Sequence, residues 1–337
     1  MAKKEDKMSE LKKDKRILVM TEELRNLRKN YKLALQEIRA KEIEIGLTKT
    51  KRVTTHIIKP TKGKVSEATA FMVCSDWHVD EVVKPIMVNG LNKYNPKVAT
   101  KRADAFFKNG LKLVEICQKD VEINRIVMPI LGDMISSNIH DELLENNSML
   151  PMEAIQFVKE LLVSGIKFLL ENSDHQLTFI CHCGNHSRIT KKIRHSTEVG
   201  NSLEYLLYHG IADHFRKEER TEFIISPSYH SYLKIYGKTI RFHHGHDIRY
   251  GGGVGGIYVP VNKAIAQWNK LKWADLEIFA HFHQMRDGGN FLCNGSLIGY
   301  NPYALSIKAD FEQPRQIFFL WDKKRGKTIT APILLNE

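Results

Sequence analysis

From residue 66 to the C-terminus, short runs of consecutive apolar residues alternate with stretches in which apolar side chains recur every three or four positions. Continuous runs bounded by Gly, Asp or Asn predict buried strands, and the wider spacing predicts helices packed on one face. Residues 68–75 predict a strand. A helix follows in which Ala103, Phe106, Phe107, Gly110, Val114 and Cys117 share a face. Next come a strand over 123–131, a helix over 149–170, a strand over 177–183 and a helix over 198–215. The pattern then turns β-rich. Residues 223–225, 229–236, 239–244, 276–281, 291–297, 316–321 and 328–334 read as strands, with one helix over 261–271 between them. Early β-α-β alternation followed by a strand-rich half predicts an α/β sandwich, two sheets with helices outside.

The N-terminal part has a different period. Over residues 9–46, heptad a positions carry Ile17, Leu24, Tyr31, Ile38 and Ile45, and d positions carry Met20, Leu27, Ala34 and Lys41. Sustained a/d apolarity with charges between predicts a coiled-coil helix and, through it, a homo-oligomer. The alternative is an amphipathic helix packed on its own domain. Gly46 is a stop signal. The expected organisation is a basic N-terminus and coiled-coil helix over 1–50, a linker over 51–65 in which 53–58 can form a short strand, and one large domain over 66–337.

Composition adds a direction for partners. The 337 residues carry a net charge of +12, which favours polyanions such as nucleic acid or an acidic membrane face. General solubility explains that charge as well. No apolar run reaches the roughly 18 residues of a membrane span, and the charged start lacks a signal-peptide core. The five cysteines, Cys74, Cys117, Cys181, Cys183 and Cys293, lie in apolar runs without a disulfide spacing. Reduced thiols and a cytoplasmic location are expected. Cys181 and Cys183 fall on one strand face; core packing is favoured there over a metal site.

Five stretches place Asp, His or Asn just past the end of an expected strand: Asp76-Trp77-His78, Gly132-Asp133, Gly184-Asn185-His186, His244-Gly245-His246 and His281-Phe282-His283. Ligands bind beyond the carboxyl ends of strands in open α/β sheets. Imidazole and carboxylate suit divalent metals. Asp76, His78, Asp133, Asn185, His244, His281 and His283 are numerous enough to hold two ions that share one ligand.

This ordered set resembles the motifs of the calcineurin-like metallophosphoesterases, D-x-H, G-D, G-N-H, a strand-terminal H often followed by G, and G-H-x-H. The resemblance covers roughly residues 68–300 and lies nearest the DNA-repair nuclease branch and phage-encoded members. It implies a metallophosphoesterase-type β-sandwich flanked by helices, with 66–337 as the catalytic domain. It further implies that Asp76, His78, Asp133 and His283 hold one ion, and that Asp133 (bridging), Asn185, His244 and His281 hold the other. Mn²⁺ is the expected pair, with Fe, Zn or Mg as alternatives. In such a site two ions about 3.5–4 Å apart activate a water for attack on phosphorus, and His186 is the general acid that protonates the leaving group. Three departures stand out. Ala280 replaces the Gly before the last motif. Ser187 stands where an acidic residue often follows G-N-H, so another group must orient His186. Met134-Ile135-Ser136 follows Asp133 in place of the Val-Asp-Arg-Gly of the serine/threonine phosphatase branch, so the phosphate-gripping Arg of that branch is missing. His243 and His246 flank His244 and compete with it for the ligand role.

Arg188, Lys191, Lys192 and Arg194 form a basic run after the G-N-H turn, suited to backbone phosphates or to plain solvation. His140 lies a few residues beyond Asp133, facing substrate or capping a loop. The glycines of 251–256 read as a mobile loop beside the site, without the Gly-Lys-Ser/Thr of a P-loop. The leading expectation is a nuclease acting on nucleic acid, most simply DNA, with Arg188, Lys191, Lys192 and His140 on the substrate. The alternatives are a phosphatase or small-molecule phosphodiesterase of the same fold, and a non-catalytic scaffold.

Overall fold

The computed structural model describes residues 20–23, 26, 55–58, 66–250 and 255–336. The chain divides into two compact units, 1–54 and 55–337. In the first, residues 20–23 and 26 are helical. The remaining heptad positions of the expected coiled coil lie outside the described residues, as do residues 251–254 of the glycine-rich loop.

In the second unit the strands and helices run β1 (Thr55–Ile58), β2 (Glu67–Met72), α1 (Pro96–Cys117), β3 (Glu122–Ile130), α2 (Asp141–Asn146), α3 (Pro151–Asn172), β4 (Gln176–Cys181), α4 (Leu203–His214), β5 (Thr221–Ile225), β6 (Ser231–Ile235), β7 (Lys238–Phe242), α5 (Tyr258–Trp268), β8 (Leu276–Phe279), β9 (Arg286–Asp287), β10 (Phe291–Cys293), α6 (Pro302–Ser306), β11 (Arg315–Asp322) and β12 (Gly326–Leu334). They build two six-stranded sheets, ordered β12-β11-β2-β3-β4-β5 and β1-β6-β7-β8-β10-β9. In the first, β2 to β5 are parallel and β11 and β12 are antiparallel additions. In the second, β7, β8 and β10 are parallel. Strand β1 pairs in parallel with β6, from Thr55 opposite Tyr232 to Ile58 opposite Ile235, so part of the expected linker is an edge strand of the sandwich.

The apolar alternation explains the layers. Phe71, Val73, Val127, Leu131 and Ile180 of the first sheet face Leu233, Ile240, Phe242 and Ile278 of the second. The opposite face of the first sheet, including Ala70, Met72, Met128 and Phe179, is covered by Phe106, Phe107, Val158, Leu162 and Leu207 of α1, α3 and α4. Helix α5 covers the outer face of the second sheet through Val261 and Ile265 against Phe279 and Phe291. Burying apolar side chains on both faces is why these strands read as continuous apolar runs. A side chain at Gly165 would place its Cβ 1.9 Å from the Phe107 ring, so glycine lets α3 approach α1 closely.

Two expectations change. The single helix over 198–215 is a 3-10 turn, Val199–Asn201, followed by α4. Ser202 is extended because it pairs with Arg188 as an isolated bridge, while Leu203 N donates to Ser187 O at 2.9 Å. The strand over 291–297 stops at Cys293, where the Asn294 side chain takes over the ladder, accepting from Ile317 N at 2.8 Å and donating to Ser75 Oγ at 2.8 Å.

Candidate metal centre

The carboxyl ends of β2, β3, β4, β7 and β8 meet at one edge of the sandwich. Asp76 N donates to Gly132 O at 3.0 Å, and His78 N to Asp133 O at 3.2 Å, so the first two turns lie along one another. A Cβ at Gly132 would fall 2.1 Å from Gly184 N, and one at Gly184 would fall 2.0 Å from Asp133 Oδ1. Only glycines allow those two turns to touch. Among the described residues nine non-glycine residues have positive φ, and five are expected ligands: Asp76 (53°), His78 (47°), Asp133 (52°), His281 (73°) and His283 (54°). Left-handed backbone is costly for side-chain-bearing residues and concentrates where chemistry requires it.

The donor atoms of Asp76, His78 and His283 lie within 4.8 Å of one another, and so do those of Asp133, His244 and His281. Nε2 of His78 and His283 are 3.2 Å apart, and His283 Nε2 is 3.4 Å from Asp76 Oδ1. His244 Nε2 sits 3.0 Å from Asp133 Oδ2 and 3.2 Å from Asn185 Oδ1. Tetrahedral ligands on bonds of about 2.05 Å are spaced about 3.3 Å apart. Asp76 Oδ1 is buried with no hydrogen-bond partner. A buried carboxylate oxygen left unpaired is costly, and an ion held by this group would satisfy it. The donor sets therefore fit two divalent ions.

Neighbouring groups fix which ring nitrogen faces the centre. His244 Nδ1 donates to the Leu131 carbonyl at 2.6 Å, leaving Nε2 toward Asp133. His78 Nδ1 lies 2.8 Å from Ser136 Oγ, which donates to Glu81 Oε2 at 3.1 Å, so the chain His78–Ser136–Glu81 presents His78 Nε2. Such outer partners orient ligands and set their basicity. Asp80 in turn holds the 136–137 backbone, accepting from Ser136 N at 2.6 Å and Ser137 N at 2.9 Å. The flanking histidines fall outside both groups. His246 Nε2 is 3.2 Å from Glu198 Oε1, and His243 points to a different cluster, beside Glu277.

His186 is half-buried beside the first group, its ring edge-on to His78 at 4.8 Å between centroids. Its backbone N donates to Asp133 Oδ1 at 2.8 Å, and its Nδ1 donates to the Ser136 carbonyl at 3.1 Å. A backbone carbonyl thus orients the ring where an acidic neighbour is absent. Ser187 is buried and bonds Ser202 Oγ instead. Arg188 is spent on the turn itself, with Nη1 on the Asn185 carbonyl and Nε on Thr190 O at 3.1 Å. Lys191, Lys192 and Arg194 are exposed along the loop that follows. His140 lies at the exposed end of the 133–140 segment, its ring 6.2 Å from that of His186.

Glu204 is the residue that sequence reasoning missed. It opens α4, is fully buried, and accepts from Met134 N and Gly184 N at 2.7 Å each. One carboxylate therefore clamps the G-D and G-N-H turns together. Its only sequence trace is an acidic residue among Leu203, Leu207 and Ile211 on the packed side of a helix. Burial, with Asp133 nearby, pushes Glu204 up to about 7, against the pull of its two backbone donors. Burial alone would raise Asp133 too, but His244 and His186 hold it well below the usual carboxylate range. His244 is driven the other way, up to about 10, because Asp133 outweighs its burial. Without an ion, the centre keeps a proton on His244.

No protein-family model and no curated protein matches the chain. Among solved structures, the hypothetical protein PH1004 from Pyrococcus horikoshii OT3 is similar at 14% identity and a TM-score of 0.40, over 81% of this chain and 89% of that one. Vps29 from Chaetomium thermophilum is similar at 9% identity and a TM-score of 0.28, over 78% of this chain and 94% of that one. Likenesses this distant say nothing about activity, and the centre stands on its own geometry. No helix among the described residues is long and apolar enough to cross a membrane.

Proposed function

We propose that this chain is a two-metal phosphodiesterase that hydrolyses nucleic acid, most simply DNA. The observation that carries the hydrolytic reading is the convergence of two three-residue donor groups, Asn185 and a separately oriented His186 at one sandwich edge. Asp76, His78 and His283 would hold one ion, and His244, His281 and Asn185 the other, with Asp133 between them. Mn²⁺ is the ion proposed. When bound, such a pair lowers the pKa of water and neutralises charge on the phosphoryl oxygens. The chain's own contribution is positioning. Ser136 and Leu131 lock the His78 and His244 rings, and the Ser136 carbonyl takes Nδ1 of His186. His186 Nε2 is then the ring atom left to donate a proton to a leaving alkoxide.

Nucleic acid is favoured by the exposed Lys191, Lys192 and Arg194 beside the Asn185–His186 turn, together with a net charge of +12. Cationic side chains along a rim take backbone phosphates in a salt-dependent way. The test is hydrolysis of linear DNA and of a generic phosphodiester, with Mn²⁺ or with chelator, by wild type and His186→Ala. Metal-dependent cleavage of both, lost in the variant at unchanged metal content, is the expected result. Cleavage of the generic ester with DNA untouched would replace this reading with a small-molecule phosphodiesterase.

A further inference from the structure

A second histidine cluster lies beyond β7, apart from the centre described above. His243 and His244 are consecutive residues, yet only His244 joins the strand-end donors. His243 stacks on Phe279, with rings 5.5 Å apart and nearly parallel. Its neighbours are His230, from the segment preceding β6, and Glu277, from β8. The donor atoms of His230, His243 and Glu277 all lie within 4.8 Å of one another.

The cluster is badly satisfied without an ion. Both ring nitrogens of the fully buried His243, and Nε2 of His230, have no hydrogen-bond partner. His243 Nε2 is 3.0 Å from Glu277 Oε1, close enough to touch but without the alignment of a hydrogen bond. That close, unaligned spacing fits two ligands of one ion, whose donors lie about 3.3 Å apart. Orphaned buried ring nitrogens cost free energy, and shared coordination would satisfy them.

Glu277 is engaged on one side only. Arg241 Nε lies 2.8 Å from Oε1 and 3.0 Å from Oε2, and Arg241 Nη2 lies 2.9 Å from Oε2. Arg241 is itself tied to Asn269 Oδ1 at 2.7 Å and the Lys272 carbonyl at 3.1 Å. A carboxylate has about four lone-pair directions, so Oε1 retains one toward His243 while Arg241 fixes the group in place. Two imidazoles and one carboxylate are a zinc-binding donor set with one position left over. His230 is the least buried of the three, which gives an ion a way in.

We infer that His230, His243 and Glu277 form a further divalent-metal site, of a donor set suited to Zn²⁺, beside Phe279 and apart from the strand-end donor groups. Its function is to tie the segment before β6 to β7 and β8. This inference does not depend on the phosphodiesterase reading, because its readout is a difference of one ion whatever the strand-end centre holds.

The test is native mass spectrometry of the full-length chain equilibrated with Zn²⁺ and desalted, comparing wild type with His230→Gln. The expected result is one zinc fewer in the variant, with thermal unfolding in chelator equal to that of wild type. Equal ion counts would overturn the site. Should His230→Gln fail to fold, wild-type crystals soaked in Zn²⁺ decide through data at the zinc edge. An anomalous peak between His230, His243 and Glu277 supports the site. Its absence, with zinc present at Asp76 or Asp133, removes it.

Discussion

Residues His243 and His244 sit side by side on one strand end and lead into two unlike clusters. The His244 cluster is assembled from turns. Five of its seven expected ligands bear left-handed backbone, its turns touch through Gly132 and Gly184, and Glu204 and Ser136 hold it from outside. The His243 cluster is assembled largely from strand neighbours. Arg241 and Glu277 pair across the β7–β8 ladder, and aromatic side chains wall it in. In both clusters each donor group keeps two residues buried and one partly exposed, so burial does not separate them. The lesson is that histidine density alone does not mark a reactive centre. Strained turns mark it, because strain persists only where surrounding structure enforces it.

The largest break in this comparison comes from Asp133→Ala. The variant leaves His244 buried without its counter-charge and removes the carboxylate of the Asp133–His244–His281 donor group, the one proposed to serve both ions. Hydrolysis is expected to fall to background, with metal content at the strand-end centre reduced. Removing one partner of a buried ion pair costs about 3–5 kcal/mol, so thermal unfolding in chelator should also show a marked loss. Hydrolysis near the wild-type rate would detach the activity from this centre. Next is His186→Ala, expected to lower kcat by about 10²–10⁴-fold at unchanged metal content, the range for a lost general acid. A parallel loss of metal would instead make His186 a ligand. Smaller again is Ser136→Ala, which frees the His78 ring while keeping the carbonyl that orients His186. Outer-partner losses cost about 10–100-fold in metal affinity, and a metal titration reads this directly.

The two clusters also differ in how readable they were. Every strand-end donor followed a buried run and a small or polar turn residue, so Asp76, His78, Asp133, Asn185, His244, His281 and His283 were visible as motifs. The layers were visible for the same reason, since continuous apolar runs report strands covered on both faces. His243 was visible only as a competitor of His244, and His230 and Glu277 carried no mark at all. The three come from separate segments and meet only through sheet pairing, which one sequence does not display. Glu204 was hidden likewise, as one acidic residue on a helix. The short helices α2 and α6 were missed because neither buries a residue, so no apolar period announces them. Arg188 was legible as a cation, but its ties to Asn185 O and Thr190 O are made to backbone that only folding brings near.

The proton on His244 offers a gentler probe. Asp133 holds it there up to about pH 10 in the ion-free chain. Because the folded value is raised, the stabilisation is fully present below the ordinary imidazole range and is lost as pH rises through about 10. An ion at the strand-end centre must displace that proton. Its affinity should therefore rise about tenfold per pH unit through the neutral range, with one proton released. Calorimetry of metal binding in buffers of different ionisation enthalpy measures the release, and no proton released would mean that His244 is neutral before the ion arrives.

The smallest effect bears on substrate. Lys191→Ala with Lys192→Ala removes two exposed cations from the loop beside His186 and touches no donor. Each lost phosphate contact lowers the slope of log affinity against log salt by about 0.9 on duplex DNA. Between 50 and 200 mM salt that is a factor of only about 3–4 per contact. The informative quantity is the pairing of assays. The slope should flatten by up to about 2 on DNA, while hydrolysis of a small phosphodiester, which cannot reach along the loop, stays at the wild-type rate. An unchanged DNA slope would place the nucleic-acid path elsewhere or remove it. A loss on the small ester would mean that the loop shapes the Asn185–His186 turn rather than meeting substrate.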